Sequence, residues 1–283
     1  MEFLHILVLA LVQALTEFLP VSSSGHLVLA SELLGWEYQG LAFDLALHFG
    51  TLIAIMVYFR RDVQELIVET LRWRPGVPLN ESQRLAFGIA LGTIPAGLAG
   101  LALGDRGAML LRHPLMIAAN LVVFGALLWF ADLHSRRHAA KADAEPTAPS
   151  GSRFPGIGFG KAFLIGCAQA LALMPGTSRS GATMTAGLLL GLDRNRAARY
   201  SFLLSIPVMV LATAHAAWEM RDATATLAWG DFLLGAGISA VAGWLVIRFF
   251  LETIRRVGVA PFAIYRFALA AVVVAWWFHF RTP

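Results

Sequence analysis

One carboxylate, a cluster of hydroxyls, a histidine and an arginine stand out because they interrupt otherwise apolar sequence. Glu17 follows fourteen mainly apolar residues, with Gln13 four positions earlier on the same helical face. A carboxylate inside a bilayer costs roughly 2.5–3.5 kcal/mol even on the milder insertion scale, so it needs a partner or a task. It suits a divalent-metal ligand or a general base; the structural alternative is an acid bonded to turn amides or to His26. After Pro20 come Ser22, Ser23, Ser24, Gly25 and His26. One serine suffices to cap a short helix. Three beside a histidine exceed that need. A helix N-terminus also presents free amides and a positive dipole end, which suits phosphate. Farther along, Thr177, Ser178, Arg179 and Ser180 repeat the pattern and add a guanidinium, which is planar, permanently charged and suited to bidentate phosphate binding. An ion pair between Arg179 and Glu17 is compatible with that use. Together these residues describe a phosphate site with Ser23 or His26 as nucleophile and an acid for metal or proton transfer, which points to hydrolysis.

The two polar segments are copies of one another. At a constant shift of 156 residues, Gln13, Ala14 and Leu15 fall on Gln169, Ala170 and Leu171, and Ser22, Ser24 and Gly25 fall on Ser178, Ser180 and Gly181. Ala30, Leu33, Leu34 and Gly35 fall on Ala186, Leu189, Leu190 and Gly191, making ten identities in 23 positions. The copies are chemically unequal: Glu17, Ser23 and His26 face Leu173, Arg179 and Ala182.

The elements that must carry these residues are membrane helices. Of 283 residues, 58% are hydrophobic and 14% charged, with a mean hydropathy of +0.67; a soluble domain carries about 25% charge. Apolar runs near 41–59, 85–104, 114–131, 200–218, 230–250 and 262–280 approach or reach the roughly 20 residues a bilayer requires. The net charge of +4 is spread over loops between these runs, which fits topology and not nucleic-acid binding. The lone Cys167 excludes an intrachain disulfide. Without a basic leader or a small-residue cleavage site, the N-terminus is expected to stay in the mature protein.

The polar stretch 132–156 reads as a flexible cytoplasmic linker. It divides a single membrane domain into repeats 1–131 and 157–283. In each, a helix, a Ser/Gly-rich break and a helix too short to span precede three full spans, so 3–34 and 157–191 are expected to form re-entrant hairpins. The fold class is therefore an all-α polytopic membrane protein with six spans and two hairpins. An odd number of crossings per repeat inverts the second copy. Sixteen Arg and Lys on one predicted side against four on the other place both termini outside. Inverted repeats bring broken helices together near the midplane. A phosphate bound there belongs to a lipid.

Glu17 to His26 (EFLPVSSSGH) and Pro175 to Thr183 (PGTSRSGAT) resemble the two signature motifs of the undecaprenyl-diphosphatase family, the bacitracin-resistance phosphatases. QALTEF at 13–18 matches its acid- or glutamine-rich motif, and PFAIYRF at 261–267 resembles its last helix. The resemblance runs from about residue 3 to 280. It implies hydrolysis of undecaprenyl diphosphate to the monophosphate and inorganic phosphate, recycling the carrier lipid for peptidoglycan synthesis and conferring bacitracin resistance. It also implies a bacterial cytoplasmic-membrane location, a site opening to the outer face, and a divalent metal, Mg2+ or Ca2+. Carried onto this chain, Glu17 and Gln13 would hold the metal or position water, Arg179 would clamp the diphosphate, and Ser23 or His26 would attack or assist the attacking water. Ser22, Ser24, Gly25, Gly176, Ser178, Ser180 and Thr183, with Gln13, would bind substrate. Gln13 departs from members with glutamate there, which puts more of any metal role on Glu17.

The expected partners are the lipid diphosphate and the bilayer, with no nucleic acid; a homodimer is open, since oligomeric state is not legible. A carrier moving polyprenyl phosphate between leaflets is the alternative function, and an ion-coupled anion transporter a third, but neither needs Ser23 and His26 beside Glu17. Asp44 and His48 begin the next span and stand as either interface or site residues. Arg266, near the end of the last span, reads as a snorkelling side chain. Trp73, Trp129, Trp218, Trp276 and Trp277 fit an interfacial aromatic belt.

Overall fold

A computed structural model of the chain describes residues 2–23, 25–26, 36, 40–110, 113–142, 157–220 and 228–280. The described residues form ten helices: α1 (Phe3–Phe18), α2 (Leu41–Tyr58), α3 (Arg60–Leu71), α4 (Glu81–Leu110), α5 (Pro114–Ala142), α6 (Phe159–Leu171), α7 (Arg179–Leu189), α8 (Arg194–Met220), α9 (Trp229–Val257) and α10 (Ala260–Phe280). No strand occurs among the described residues.

Five helices contain segments long and apolar enough to cross a membrane: Glu81–Leu103, Pro114–Arg136, Arg194–Met220, Trp229–Val257 and Ala260–His279. The pair α2 and α3 meets the same test only when taken together, across a bend of 77° after Tyr58, as a broken span or a re-entrant segment does. The chain is thus a multi-pass helical membrane protein. Its outward faces carry large apolar side chains, Leu101, Val241 and Phe249 among them, as contact with lipid requires.

Local signals set the helix ends. Leu19 is extended (φ −71°, ψ 145°) because it precedes Pro20, and α1 stops there. A reciprocal capping box opens α4: the Gln83 amide donates to Asn80 Oδ1 at 2.8 Å and the Asn80 amide to Gln83 Oε1 at 3.1 Å. Ser178 caps α7 by accepting from the Gly181 amide at 3.2 Å. Helix α9 ends at Gly258 (φ 77°) with Arg255 and Arg256 in its last turn, favourable to the helix dipole.

The second predicted hairpin is present as α6, a turn, and α7. At 1.5 Å per residue these helices are about 20 and 16 Å long, short of a roughly 30 Å hydrocarbon core. They pack on each other and on α4, α5 and α8. The contact of α6 with α4 is close because Gly92 and Gly166 meet: a Cβ at Gly166 would run into the Gly92 carbonyl oxygen. In the first hairpin α1 is in place, with Gly25 and His26 beyond the turn, while Ser24 and residues 27–35 lie outside the described residues. Helix α1 packs mainly against α9. Beneath both turns, Phe18, Phe59, Phe202 and Phe250 form a buried aromatic cluster that joins α1 to α8 and α9, with Phe18 edge-on to Phe202 at 5.6 Å.

The expected linker begins later than its composition suggests. Helix α5 runs on through Ala142, and Asp132 is fully buried, accepting from Arg194 Nη2 at 2.9 Å and pairing with Arg136 at 3.0 Å. A carboxylate read as solvated is instead the anchor between the end of the first half and the start of the second. Residues 143–156 lie outside the described residues.

Candidate active site

The turn after α1 and the turn before α7 meet at Glu17. From α1 itself, Gln13 Nε2 donates to Glu17 Oε2 at 3.1 Å. From the first turn, Ser23 Oγ donates to the same oxygen at 3.1 Å. From the second, Arg179 Nη2 donates to Glu17 Oε1 at 3.1 Å. The pair is largely enclosed, with the Arg179 side chain 13% and the Glu17 side chain 9% exposed. Arg179 Nη1 also donates to the Ser201 carbonyl at 3.3 Å, which fixes the guanidinium against α8. The structural alternative for Arg179, an ion pair with Glu17, is therefore present.

His26 is held at both nitrogens. Nδ1 lies 2.7 Å from the Ser22 carbonyl, and Nε2 lies 2.7 Å from Tyr265 Oη on α10. A carbonyl only accepts, so Nδ1 carries the proton and the neutral ring accepts the Tyr265 hydroxyl at Nε2. The rings stack at 5.5 Å with 5° between their planes. His48, on α2, lies near enough to Glu17 for their charges to interact, and its Nδ1 donates to the Asp44 carbonyl at 2.8 Å.

Most hydroxyls of the second turn are engaged, and Ser180 ties the two turns together. Ser180 Oγ donates to the Leu19 carbonyl at 3.0 Å. Ser178 Oγ caps α7, and Thr183 Oγ1 donates to the Arg179 carbonyl at 2.8 Å and meets Ser201 Oγ at 2.7 Å. Gly176, at φ 89°, turns the chain where any Cβ would meet the Ile117 carbonyl oxygen at 2.5 Å. Gly25 packs beside Ile117 and Ser22. Among the described residues the buried side-chain polar atoms without a partner are Gln13 Oε1 on α1, Thr177 Oγ1 and Arg179 Nε at the second turn, Gln169 Oε1 and Nε2 on α6, and Tyr200 Oη on α8. Native proteins leave few such atoms, so these are the ones available to a ligand. The first amides of α7 add to them, since the opening turn of a helix has no internal acceptors.

Arg266 corrects the snorkelling expectation. It is fully buried and donates to carbonyls from three segments: Pro20 at 3.3 Å, Gly176 at 2.8 Å, Thr177 at 3.0 Å, Asn120 at 3.3 Å and Leu121 at 3.2 Å. Asn120 assists by donating to the Pro175 carbonyl at 2.8 Å. Sequence reasoning missed Tyr265, Arg266, Ser201 and Asn120 as parts of this site. Only Arg266 offered a signal, as an ionisable residue within an apolar span.

No three His, Cys, Asp or Glu side chains cluster as a metal cage among the described residues. The donors that fit a hard cation are the Glu17 carboxylate and the orphaned Gln13 Oε1. That is a set for an ion completed by substrate oxygens and water, the habit of magnesium at phosphate sites.

Fold and site together define a polytopic helical membrane protein whose two broken-helix turns enclose a charged, hydroxyl-lined site. The chain belongs to the family described as bacitracin resistance protein BacA, which matches residues 6–272. It is 48% identical over 277 residues to undecaprenyl-diphosphatase 2 of Stutzerimonas stutzeri (strain A1501), covering 97% of this chain and 98% of that protein. Undecaprenyl-diphosphatases of Chromohalobacter salexigens, 44% identical over 98% of this chain and 99% of theirs, and of Teredinibacter turnerae, 46% over 96% and 98%, are similarly alike.

Proposed function

We propose that this protein hydrolyses undecaprenyl diphosphate to undecaprenyl phosphate and inorganic phosphate in the bacterial cytoplasmic membrane, returning the carrier lipid to peptidoglycan synthesis. Full-length similarity to proteins named for that reaction supports the substrate. The observation that carries the chemistry is the Ser23–Glu17 hydrogen bond of 3.1 Å beneath Arg179.

In this reading the diphosphate enters between the turns and draws Arg179 from Glu17, because a polyanion competes better for the guanidinium than one carboxylate. Arg179 Nε, Thr177 Oγ1 and the first amides of α7 take up phosphate oxygens. Freed of its ion pair, Glu17 accepts the Ser23 proton as Ser23 Oγ attacks the terminal phosphorus. The new Oγ–P bond replaces the bridging P–O bond, whose electron pair leaves with the lipid monophosphate. Glu17 hands that proton to the departing phosphate oxygen. Its free carboxylate then takes a proton from water as the water oxygen attacks phosphorus and the Oγ–P bond breaks, and returns it to Ser23 Oγ as inorganic phosphate leaves. His26 is the less suited nucleophile, since both its nitrogens are engaged. Glu17 and Gln13 Oε1 would hold Mg2+ or Ca2+, which neutralises diphosphate charge when bound.

We place the site toward the outer face, with both termini outside, on the loop charge asymmetry. An inverted repeat is supported by the exchange of partners: α1 packs on α9 while its counterpart α6 packs on α4, the counterpart of α9. No observation of comparable weight favours a carrier. The test is phosphate release from undecaprenyl diphosphate by purified protein, with and without chelator, beside Glu17→Ala and Arg179→Ala. Release by the parent and none by the variants is expected. No release by the parent under any metal condition would overturn the reading.

A further inference from the structure

We propose that a second phosphate site lies at the other end of α2 and takes the headgroup phosphate of an anionic membrane phospholipid. A cavity of about 620 Å3 opens there, lined by Tyr58, Arg60, Arg61, Asp62, Asn195 and Arg199. Its lining shares no residue with the site at Glu17, and its α2 residue, Tyr58, lies ten residues, about 15 Å of helix, beyond His48. It is a different place from the diphosphate site.

Its charge is unbalanced. Three guanidiniums face one carboxylate, Asp62, which receives Arg199 Nη2 at 3.4 Å. Arg60 and Arg61 are exposed and pair with no carboxylate among the described residues; Arg60 Nη1 reaches only the Val57 carbonyl, at 3.3 Å. Arg199 is set in place by lying over the Phe59 ring at 5.2 Å. Two helix starts add positive potential: Arg60, Arg61 and Asp62 open α3, whose N-cap Phe59 makes no capping bond, and Asn195 is the second residue of α8. Here two helix N-termini and a stacked guanidinium converge on one cavity.

The position selects a lipid over a free anion. Helix α3 turns 77° from α2, buries no residue, and exposes Ile67, Val68 and Leu71. An amphipathic helix of this kind lies in the membrane interface. The Tyr58–Arg60 break is then at the level of the lipid phosphates, with a tyrosine in the position such residues favour. Basic pockets between helix ends at that level bind anionic headgroups. A second cavity of about 450 Å3 shares Asn195 and is lined by Arg196 and Arg255. It continues the basic surface along the same end of the bundle.

The test is native mass spectrometry of the purified full-length protein with 1-palmitoyl-2-oleoyl phosphatidylglycerol, with phosphatidylcholine, and with inorganic phosphate in competition. The variants are Arg60→Ala/Arg61→Ala, Arg60→Lys/Arg61→Lys, and the control Arg74→Ala/Arg84→Ala on the same face. Melting in phosphatidylcholine-containing micelles establishes that each is folded. Phosphatidylglycerol should bind the parent, the lysine pair and the control alike, and the alanine pair about tenfold more weakly or worse. Equal losses in the alanine pair and the control would reduce the effect to bulk surface charge and overturn the site. Phosphatidylcholine held as tightly as phosphatidylglycerol, or inorganic phosphate displacing the lipid at equal concentration, would overturn the lipid assignment.

Discussion

Ser22 and Ser178, 156 residues apart and equivalent in the duplicated segments, both hold a positive φ, 78° and 68°. They are the residues other than glycine that do so among the described residues. An L side chain held there costs of order 1–2 kcal/mol and persists only where its surroundings demand it. The demand is visible. Each serine begins the turn that delivers a side chain of the candidate site one position later, Ser23 in one copy and Arg179 in the other.

Relief of that strain is measurable. Ser178→Gly removes the steric cost and gives up a cap that glycine replaces at a loss of only a few tenths of a kcal/mol. Its melting temperature in detergent should stay close to the parent's. Ser178→Val places a β-branched residue at the same φ and should destabilise by about 2 kcal/mol or more.

Ser23→Ala should lower phosphate release by roughly 10²–10⁴-fold, the usual range for losing an activated hydroxyl and its proton transfer. A phosphoenzyme trapped by acid quench should be acid-stable, as a phosphoserine is. An acid-labile adduct would transfer the nucleophile's role to His26.

Tyr265→Phe removes the hydroxyl that occupies His26 Nε2 and leaves the Ser22 contact intact. A neutral hydrogen bond is worth about 1 kcal/mol, so release should fall less than about tenfold. A loss as deep as that of Ser23→Ala would make His26 Nε2 part of the chemistry.

Arg266→Lys keeps the charge and loses the fork. One ammonium has three donors for carbonyls that come from Pro20, Gly176, Thr177, Asn120 and Leu121. Each carbonyl left dry costs about 1–3 kcal/mol. Thermal unfolding should show a loss of about 3 kcal/mol or more, far beyond that of Arg74→Lys on the surface.

Gln13→Glu adds a second carboxylate beside Glu17, a better ligand than an amide for a hard cation. The Mg2+ or Ca2+ concentration giving half-maximal phosphate release should fall, and Gln13→Ala should raise it. Identical metal titrations in all three proteins would remove Gln13 from the metal's surroundings.

Glu17, Ser23 and Arg179 were legible because each is costly where it stands: charge or surplus hydroxyls inside apolar runs need a reason. Ser178, Ser180 and Thr183 were legible as turn hydroxyls, but their engagement was not. The Leu19 carbonyl and Ser201 Oγ that occupy Ser180 and Thr183 belong to other elements. Asp132 looked like the start of a solvated linker for the same reason, since its partner Arg194 is 62 residues on. Arg266 carried the intramembrane signal and was assigned to the interface, because burial depends on which helices surround α10.

The amino-acid sequence settles what is local: span lengths from apolar runs, helix ends from Pro20, Asn80 and Ser178, and two copies of one turn from their spacing. Those features follow from backbone sterics and from the cost of polar groups in hydrocarbon, which act over a few residues. Packing settles what is shared. Glu17 meets Arg179, His26 meets Tyr265, and Arg266 ties both turns to α5, because each buried donor or acceptor must find its complement wherever the folded chain brings one.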